Sequence, residues 1–248
     1  MKHHFIVIVP FYNVSKWIQY NIASIMKQTY VNFDCYLIDD LSTDNTCELI
    51  DNMIVGDNRF HLIKNKIKKL ALRNIFDAIE FANPNPEDII VTLDGDDWLY
   101  SKDVLEHLNN VYNEKDCWLT YGSYAEFPSG NRGKFARQIP QQIIEQKLFR
   151  KAPWCSSHLR TFKHHLWKKI KHKDLLDTDG NFYKMTWDLS FMFPMLEMAN
   201  TRSFFIEKLL YVYNLDNPYN DHKVDNSYQL KLEAEIRNKE VYDTVINK

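Results

Sequence analysis

Three carboxylates follow a short apolar run near the middle of the chain. Residues 89–93 read Ile-Ile-Val-Thr-Leu, a pattern that predicts a buried strand. The next four residues are Asp94, Gly95, Asp96 and Asp97. Like charges this close repel each other and lose hydration on folding, so a bound cation would stabilise them. A solvated acidic turn, with Gly95 supplying the bend, explains the same residues without any chemistry. The cluster by itself leaves both interpretations open.

Length and composition narrow the class of protein. The chain has 248 residues, which suits one α/β domain or a domain with an appendage. Hydrophobic residues make up 45% and aromatic residues 14%, as in a folded globular protein. The formal net charge of −2 argues against a broad surface for nucleic acid. Only six glycines are present, and the Gly-x-Gly-x-x-Gly and Walker-type phosphate loops are absent.

The four cysteines and the apolar stretches point to an ordinary soluble protein. No Cys-x-x-Cys spacing occurs, so neither a zinc site nor a disulfide framework is indicated. The longest apolar stretch, residues 5–11, is too short to span a bilayer. It also lacks the small-residue cleavage site of a secretory signal. We therefore expect a cytoplasmic protein without a transmembrane segment, and association with a membrane surface stays open.

Strand and helix patterns alternate along the first half of the chain. Strands are predicted at 5–9, 33–38, 60–63 and 89–93, and helices at 14–28, 46–55 and 70–82. This βα repeat predicts an α/β fold with a mostly parallel central sheet between two helical layers, a Rossmann-like three-layer sandwich.

The second half is less regular. A helix is predicted at 188–199, although Pro194 should kink or shorten it. An apolar run at 204–213 predicts a further strand. The charged segment 228–248 predicts a helix that we expect to be solvated.

Three loops in a fixed order resemble a known family. Phe11-Tyr12-Asn13 follows the first strand, residues 39–46 follow the second, and the acidic cluster follows the fourth. In this order the chain resembles the family 2 glycosyltransferases over about residues 5–216. The resemblance implies a GT-A fold and a nucleotide-sugar donor. It also implies a division into a nucleotide-sugar-binding half (1–120), an acceptor-binding and catalytic-base half of the same domain (121–227) and the C-terminal helix.

The resemblance assigns the donor-binding residues. They are Pro10, Phe11, Tyr12, Asp39, Arg73, Asp94 and Gly95. Tyr12 at a strand end can stack on a base, and a carboxylate such as Asp39 suits the N–H of uracil. The charge of Arg73 suits a diphosphate. A turn carboxylate and a surface helix arginine are the ordinary alternatives for the last two, and the lysine run 64–69 either holds phosphates or is a solvated face.

The metal ligands follow from the same resemblance. Asp94-Gly95-Asp96 corresponds to the DxD motif of the family, and Mn²⁺ or Mg²⁺ favours carboxylate oxygens. The implied principal ligand is Asp96, with Asp94 directed to ribose and metal. The family often adds a histidine from the C-terminal part, for which His222 is the first candidate and His158 the rival.

Asp188 is the implied catalytic base. It would take the proton of the acceptor hydroxyl as that oxygen attacks the anomeric carbon, with inversion. A helix N-cap is the alternative explanation of Asp188. Two departures from the family pattern stand out. Trp187 occupies a position that is commonly acidic, and no glycine occurs in 65–74, where relatives often have one.

The predicted function is metal-dependent, inverting transfer from a UDP-sugar to a hydroxyl of a glycan, a lipid-linked glycan or a protein. One alternative is a non-catalytic nucleotide-sugar or carbohydrate-binding protein on the same fold. Another is a nucleotidyltransferase, although the loop after the first strand lacks the required glycines and basic residues. A phosphohydrolase would carry its Asp-x-Asp on the first strand. The residues that could line an acceptor groove are Trp154, Trp167, Trp187, Phe182 and Tyr183.

Overall fold

The computed structural model describes residues 1–218 and 225–246. The strands are β1 (Phe5–Phe11), β2 (Phe33–Asp39), β3 (Phe60–Lys64), β4 (Ile89–Thr92), β5 (Trp98–Leu99), β6 (Leu119–Phe127), β7 (Arg160–Lys163) and β8 (Ser203–Asn214). The helices are α1 (Ile18–Met26), α2 (Thr46–Ile54), α3 (Ala71–Ala82), α4 (Val104–Glu114), α5 (Gln141–Glu145), α6 (His164–Trp167), α7 (Trp187–Ala199) and α8 (Asn226–Arg237). Short 3₁₀ turns cover His172–Leu175 and Asn200–Arg202.

All eight strands belong to one sheet, in the spatial order β3-β2-β1-β4-β7-β6-β8-β5. The first four strands in this order are parallel. β7 runs antiparallel to both β4 and β6, β8 is parallel to β6, and β5 is antiparallel to β8. The register sets Phe11 opposite Asp39 at the ends of β1 and β2. The loops that follow β1, β2 and β4 therefore meet at one edge of the sheet, where open α/β sheets bind ligands.

The sheet is covered on both faces. Along β1, Phe5 and Val7 belong to a core cluster shared with α1 and α4, whereas Ile6 and Ile8 belong to a second cluster shared with α3 and α7. Successive side chains of a strand point to opposite faces, so a strand that is buried on both sides needs a continuous apolar run. The predicted three-layer arrangement follows from this pattern.

Two short strands and one helix differ from the expectations. β5 and β7 have two and four residues, too few for a period-2 pattern to be recognised. α7 does not end at Pro194 but continues to Ala199, so Pro194 does not shorten the helix, and the alternative of a kink stays a prediction. Residues 189–199 of this helix are all buried, and the packing on every side outweighs the missing N–H of proline.

The C-terminal helix is not simply solvated. Leu232 and Ile236 of α8 are 2% and 0% exposed and join the core beside α7. The buried Arg150 guanidinium makes two hydrogen bonds to the Glu197 carboxylate, of 2.6 and 2.9 Å. It also donates to the backbone carbonyl of Ile236 at 2.7 Å. One face of the predicted charged helix therefore belongs to the hydrophobic core, which corrects the expectation. Within residues 1–218 and 225–246, no helix has both the length and the apolar composition needed to cross a bilayer.

Candidate active site

The three carboxylates of the acidic cluster have different surroundings. Asp97 is 1% exposed, and both of its carboxylate oxygens accept hydrogen bonds from the protein. The Tyr211 hydroxyl donates to Oδ2 at 2.5 Å, and the Asn214 backbone N–H donates to Oδ1 at 2.7 Å. Burial, together with the neighbouring Asp96 and Asp94, raises the pKa of Asp97 well above its ordinary value. Asp97 thus connects the acidic loop to β8.

A buried amide holds the backbone of the same loop. Asn21 of α1 is fully buried and donates to the carbonyl oxygens of Asp94 at 3.0 Å and Asp97 at 2.8 Å. Asn21 was not among the predicted site residues. Its signal is a polar residue on the apolar face of α1, between Ile18 and Ile22.

Gly95 is required for a close approach between two chain segments. A Cβ atom at this position would lie 2.4 Å from Cβ of Phe11 and 3.1 Å from the carbonyl oxygen of Pro10. The Gly95 N–H also donates to that carbonyl at 3.2 Å. The absent side chain therefore lets the acidic loop pack directly on the end of β1, so Pro10, Phe11 and Gly95 form one contact.

Replacing Gly95 with alanine should separate these segments and destabilise the protein by about 1–3 kcal/mol, the usual cost of overpacking. It should also weaken nucleotide binding, because both segments belong to the candidate donor site. Urea unfolding and a UDP titration would measure the two effects. Gly56→Ala is the control, since Gly56 has a φ of +82° but no atom within 4 Å of an added Cβ. It should cost stability alone. Unchanged stability of Gly95→Ala would contradict the close-approach argument.

His158 lies beside the acidic cluster. Its Nε2 atom is 3.5 Å from Oδ2 of Asp94, and its Nδ1 atom is 3.0 Å from the Ser157 hydroxyl. The ring stacks on Tyr211, with centroids 4.5 Å apart and planes 20° apart, and lies similarly against Tyr213. Burial and the charge of Arg160 lower the pKa of His158. The imidazole is therefore neutral at neutral pH, which is the form that binds metals.

Asp94 and Asp96 are the half-buried members of the cluster. Burial alone would raise the pKa of Asp94, but contact with His158 and the charge of Arg160 outweigh it, so this pKa is lowered. The pKa of Asp96 is raised to about 6 by burial and by the charge of Asp94, although the Asn217 amide donates to Oδ2 at 2.6 Å. An ionised Asp94 is ready to bind a cation, and a cation would relieve its repulsion with Asp96.

The donor atoms in this cluster suit a divalent cation. One ligand atom each from Asp94, Asp97 and His158 lies within 4.8 Å of the others. This set differs from the prediction, which named Asp96, Asp94 and His222. Because Tyr211 and Asn214 occupy the oxygens of Asp97, Asp94 and His158 are the better-disposed ligands of the three. The assignment of Asp96 stays a prediction, and His222 lies outside the described residues.

Two neighbouring aspartates at the end of β2 have different hydrogen-bond partners. Asp39 is 6% exposed, and its Oδ1 accepts the Ser42 N–H at 2.9 Å. Asp40, to which the sequence analysis gave no role, accepts the N–H groups of Lys69 at 2.7 Å and Leu70 at 2.9 Å. Asp40 therefore fixes the end of the lysine-rich loop beside Asp39.

The backbone of Leu70 adopts a conformation typical of the glycine that this loop lacks. Its φ and ψ are +66° and 169°, a region that glycine adopts almost exclusively and that costs other residues about 1–3 kcal/mol. The two hydrogen bonds from Lys69 and Leu70 to Asp40 hold the strained backbone in place. The loop thus reaches a glycine-type conformation without a glycine.

Tyr12 and Arg73 lie on the surface near this edge. The Tyr12 ring is 40% exposed, and the Lys68 ammonium group lies 3.3 Å from its centroid. A base that stacked on this face would take the place of Lys68. Arg73 donates to Asp77 at 2.6 Å and its side chain is 45% exposed. The surface-arginine interpretation of Arg73 therefore stays open.

The turn residues after β2 join two loops, as turn chemistry predicts. The Asp44 carboxylate accepts the N–H groups of Ser15 and Thr46, both at 3.1 Å. The Thr46 hydroxyl accepts the N–H of Val14 at 3.1 Å. The loop after β1 is thereby held against the loop after β2.

Asp188 lies in the first turn of α7 and is paired with an arginine. Nη1 of Arg160 donates to Oδ2 of Asp188 at 3.0 Å, and the Asp188 side chain is 20% exposed. The N-cap position belongs to Thr186, whose side chain makes no capping hydrogen bond. Asp188 is therefore not the N-cap residue, although its charge suits a helix N-terminus. Arg160 is a site residue that the sequence analysis missed.

The expected aromatic groove is smaller than proposed. Trp167 and Tyr183 are 3% and 0% exposed and belong to the core, so they cannot line a surface. Trp154 is half-buried and packs edge-on against Phe193, with centroids 5.5 Å apart.

Similar sequences are bacterial glycosyltransferases. Glycosyltransferase GlyG of Streptococcus pneumoniae is 32% identical over 142 residues, which cover 57% of this chain and 46% of that protein. An Escherichia coli protein, UDP-Glc:alpha-D-GlcNAc-diphosphoundecaprenol beta-1,3-glucosyltransferase WfgD, is 33% identical over 147 residues, covering 58% and 54%. The chain thus spans about half the length of these curated relatives.

Solved structures share the fold. Residues 1–349 of Staphylococcus aureus TarS, in complex with UDP-GlcNAc, superpose with a TM-score of 0.68 at 17% identity, covering 97% of this chain and 68% of that one. The mannosyltransferase PcManGT of Pyrobaculum calidifontis, in complex with GDP-Man and Mn²⁺, gives 0.65 at 16% identity, covering 98% and 66%. These similarities confirm the predicted GT-A fold. The sequence profile of Glycosyl transferase family 2 matches residues 6–171, more than half of the chain, and the chain therefore belongs to this family.

Proposed function

We propose that this protein transfers a hexose from a UDP-sugar to a hydroxyl group of a glycan acceptor, with inversion at the anomeric carbon and with a divalent cation. The observation that carries the proposal is that Arg160 donates a hydrogen bond to Asp188 while its charge acts on Asp94 and His158, which are in contact with each other. A donor phosphate group and an acceptor hydroxyl need these two kinds of group close together.

The donor side of the site would hold the nucleotide. The buried Asp39 at the end of β2 can accept the N–H of uracil, and Tyr12 offers a ring face for the base. Asp94, Asp96 and His158 would hold Mn²⁺ or Mg²⁺, which when bound stabilises the charge on the departing nucleoside diphosphate.

The acceptor side requires a base that is anionic and partly open to solvent. Asp188 meets both conditions, because its carboxylate pairs with Arg160 and is 20% exposed. It would accept the proton of the attacking hydroxyl as the bond to the anomeric carbon forms and the bond to the phosphate oxygen breaks. Displacement from the opposite face inverts the configuration.

Relatives support the choice of donor and suggest an acceptor. Two Escherichia coli relatives are named as UDP-Glc glucosyltransferases that act on a sugar carried by diphosphoundecaprenol. TarS has been solved with UDP-GlcNAc. We therefore propose UDP-glucose and UDP-N-acetylglucosamine as the first donors to test and a lipid-diphosphate-linked sugar as the first acceptor.

The test is a measurement of UDP release from each UDP-sugar, with and without that acceptor, in Mn²⁺ and after chelation. We expect acceptor-stimulated release that chelation abolishes and Mn²⁺ restores. Binding of UDP without turnover of any donor would support the non-catalytic alternative. Undiminished turnover after chelation would contradict the metal-dependent mechanism.

A further inference from the structure

Arg160 is a buried cation that interacts with several residues of the candidate site: it donates to Asp188, and its charge acts on Asp94 and His158. It begins β7 and pairs in register with Thr92, the last residue of β4, two positions before Asp94. Its residue exposure is 2%. Burying a guanidinium group costs several kcal/mol unless carboxylates and hydrogen bonds compensate, on the order of the penalties measured for buried ions. The compensating carboxylates here are those of the site.

Among the described residues, the Arg160 side chain donates a hydrogen bond to Asp188. Nη1 donates to Oδ2 of Asp188 at 3.0 Å. The guanidinium carbon lies 5.5 Å from the centre of the Trp187 ring, so the residue before Asp188 also packs on the arginine. Within residues 1–218 and 225–246, Nε of Arg160 has no hydrogen-bond partner, and no hydrogen bond reaches Oδ1 of Asp188. The pair therefore fixes one oxygen of Asp188 and leaves the other free.

We infer that Arg160 is a positioning residue for Asp188: it holds Oδ2 so that Oδ1 is presented to the acceptor hydroxyl. This inference rests on the proposed role of Asp188 as the base. The benefit of the contact lies in orientation, because a misplacement of about 1 Å can cost 10²-fold in rate.

The role through Asp188 can be distinguished from donor binding by experiment. A residue that bound the diphosphate directly would change the affinity for UDP when replaced. A residue that acts through Asp188 would lower the rate of transfer and leave UDP binding as it was. The two roles therefore differ in measurable quantities.

The experiment compares Arg160→Gln and Arg160→Lys with Arg59→Gln as the control. Arg59 pairs with Asp57 at 2.6 Å and directly precedes β3, an edge strand of the sheet. We expect Arg160→Gln to lower kcat by about 10²-fold with unchanged UDP affinity, and Arg160→Lys to recover part of this loss. Arg59→Gln should transfer sugar at the normal rate. Thermal unfolding of each variant shows whether it is folded. If Arg160→Gln does not fold, Arg160→Lys is used to test the inference.

A second comparison uses the Asp188→Asn background. If Arg160 acts only through Asp188, adding Arg160→Gln there should cause no further loss of transfer. Additive losses, or weakened UDP binding, would overturn the inference in favour of a donor contact. If the wild-type protein transfers no sugar, the proposed function fails instead. A crystal structure of Arg160→Gln then decides the positioning role, which is wrong if the Asp188 carboxylate has not moved.

Discussion

Replacing Asp188 with asparagine should lower the rate of sugar transfer by about 10²–10⁴-fold, the range for loss of a general base. Asparagine keeps the size of the side chain and can still accept a hydrogen bond from Arg160, but its amide cannot take a proton from the acceptor. The binding of UDP should be unchanged, because the proposed partner of Asp188 is the acceptor hydroxyl and not the nucleotide. Initial rates of transfer and a UDP titration would measure the two quantities.

Asp179→Asn is the matched control for this variant. Asp179 is exposed, and the hydrogen bond it makes uses its backbone N–H and not its carboxylate. It should transfer sugar at the wild-type rate. If Asp188→Asn kept its activity, the base would have to be another residue. If it lost UDP binding as well, Asp188 would belong to the donor site.

Replacing Asp94 with asparagine should remove both metal binding and transfer. Asp94 touches His158 and repels Asp96, so it belongs to every ligand set that the cluster allows. We expect transfer to fall at least 10²–10³-fold, roughly the cost of one lost electrostatic contact to the leaving group. The control is Asp116→Asn, because the Asp116 side chain is 75% exposed and pairs with Arg202.

Metal binding can be measured without activity. A cation that binds only the folded protein adds about 2.7 kcal/mol of stability when its concentration is 100 times the dissociation constant. Mn²⁺ should therefore raise the Tm of the wild-type protein and of Asp116→Asn, but not that of Asp94→Asn. A Tm shift that survives in Asp94→Asn would move the metal site elsewhere.

The effect of Mn²⁺ should also depend on pH. The pKa of Asp96 is raised to about 6, so this carboxyl group is protonated below that pH and ionised above it. A protonated carboxyl group neither repels Asp94 nor binds a cation. The Tm shift should therefore shrink as the pH falls through about 6, and Asp96→Asn should weaken this dependence to the part that protonation of His158 causes. A shift that is equal at pH 5 and pH 7 would contradict a role for Asp96 at the metal.

The βα half of the fold could be predicted because its signals are local. Residues 5–11 form an uninterrupted apolar run and residues 35–38 a shorter one, and a parallel strand buried on both faces produces such a run whatever lies around it. The acidic cluster is equally local, since three aspartates in four residues after a strand are visible without knowledge of the fold. The resemblance to the family rests on the order of these loops along the sequence.

The partners of the cluster could not be predicted, because they come from distant positions. Asn21, His158 and Tyr211 each contact the cluster across more than sixty residues of sequence. Each is one residue without a repeated pattern, and Arg160 lies in a strand of four residues. Only tertiary packing brings them together. The backbone conformation of Leu70 could not be predicted for a different reason, since a leucine in the sequence does not indicate a glycine-type conformation.

The bonds of Asp97 also order events during synthesis of the chain. Its two partners, Tyr211 and Asn214, lie 114 and 117 residues further along. The strands that carry the nucleotide loops leave the ribosome first, and contacts between distant residues form late because closing a long loop costs entropy. The acidic loop therefore reaches its native conformation only after β8 has inserted between β6 and β5. Before β8 has paired, a nascent chain contains the aspartates but not their native arrangement. A formed site therefore indicates that the whole sheet has formed.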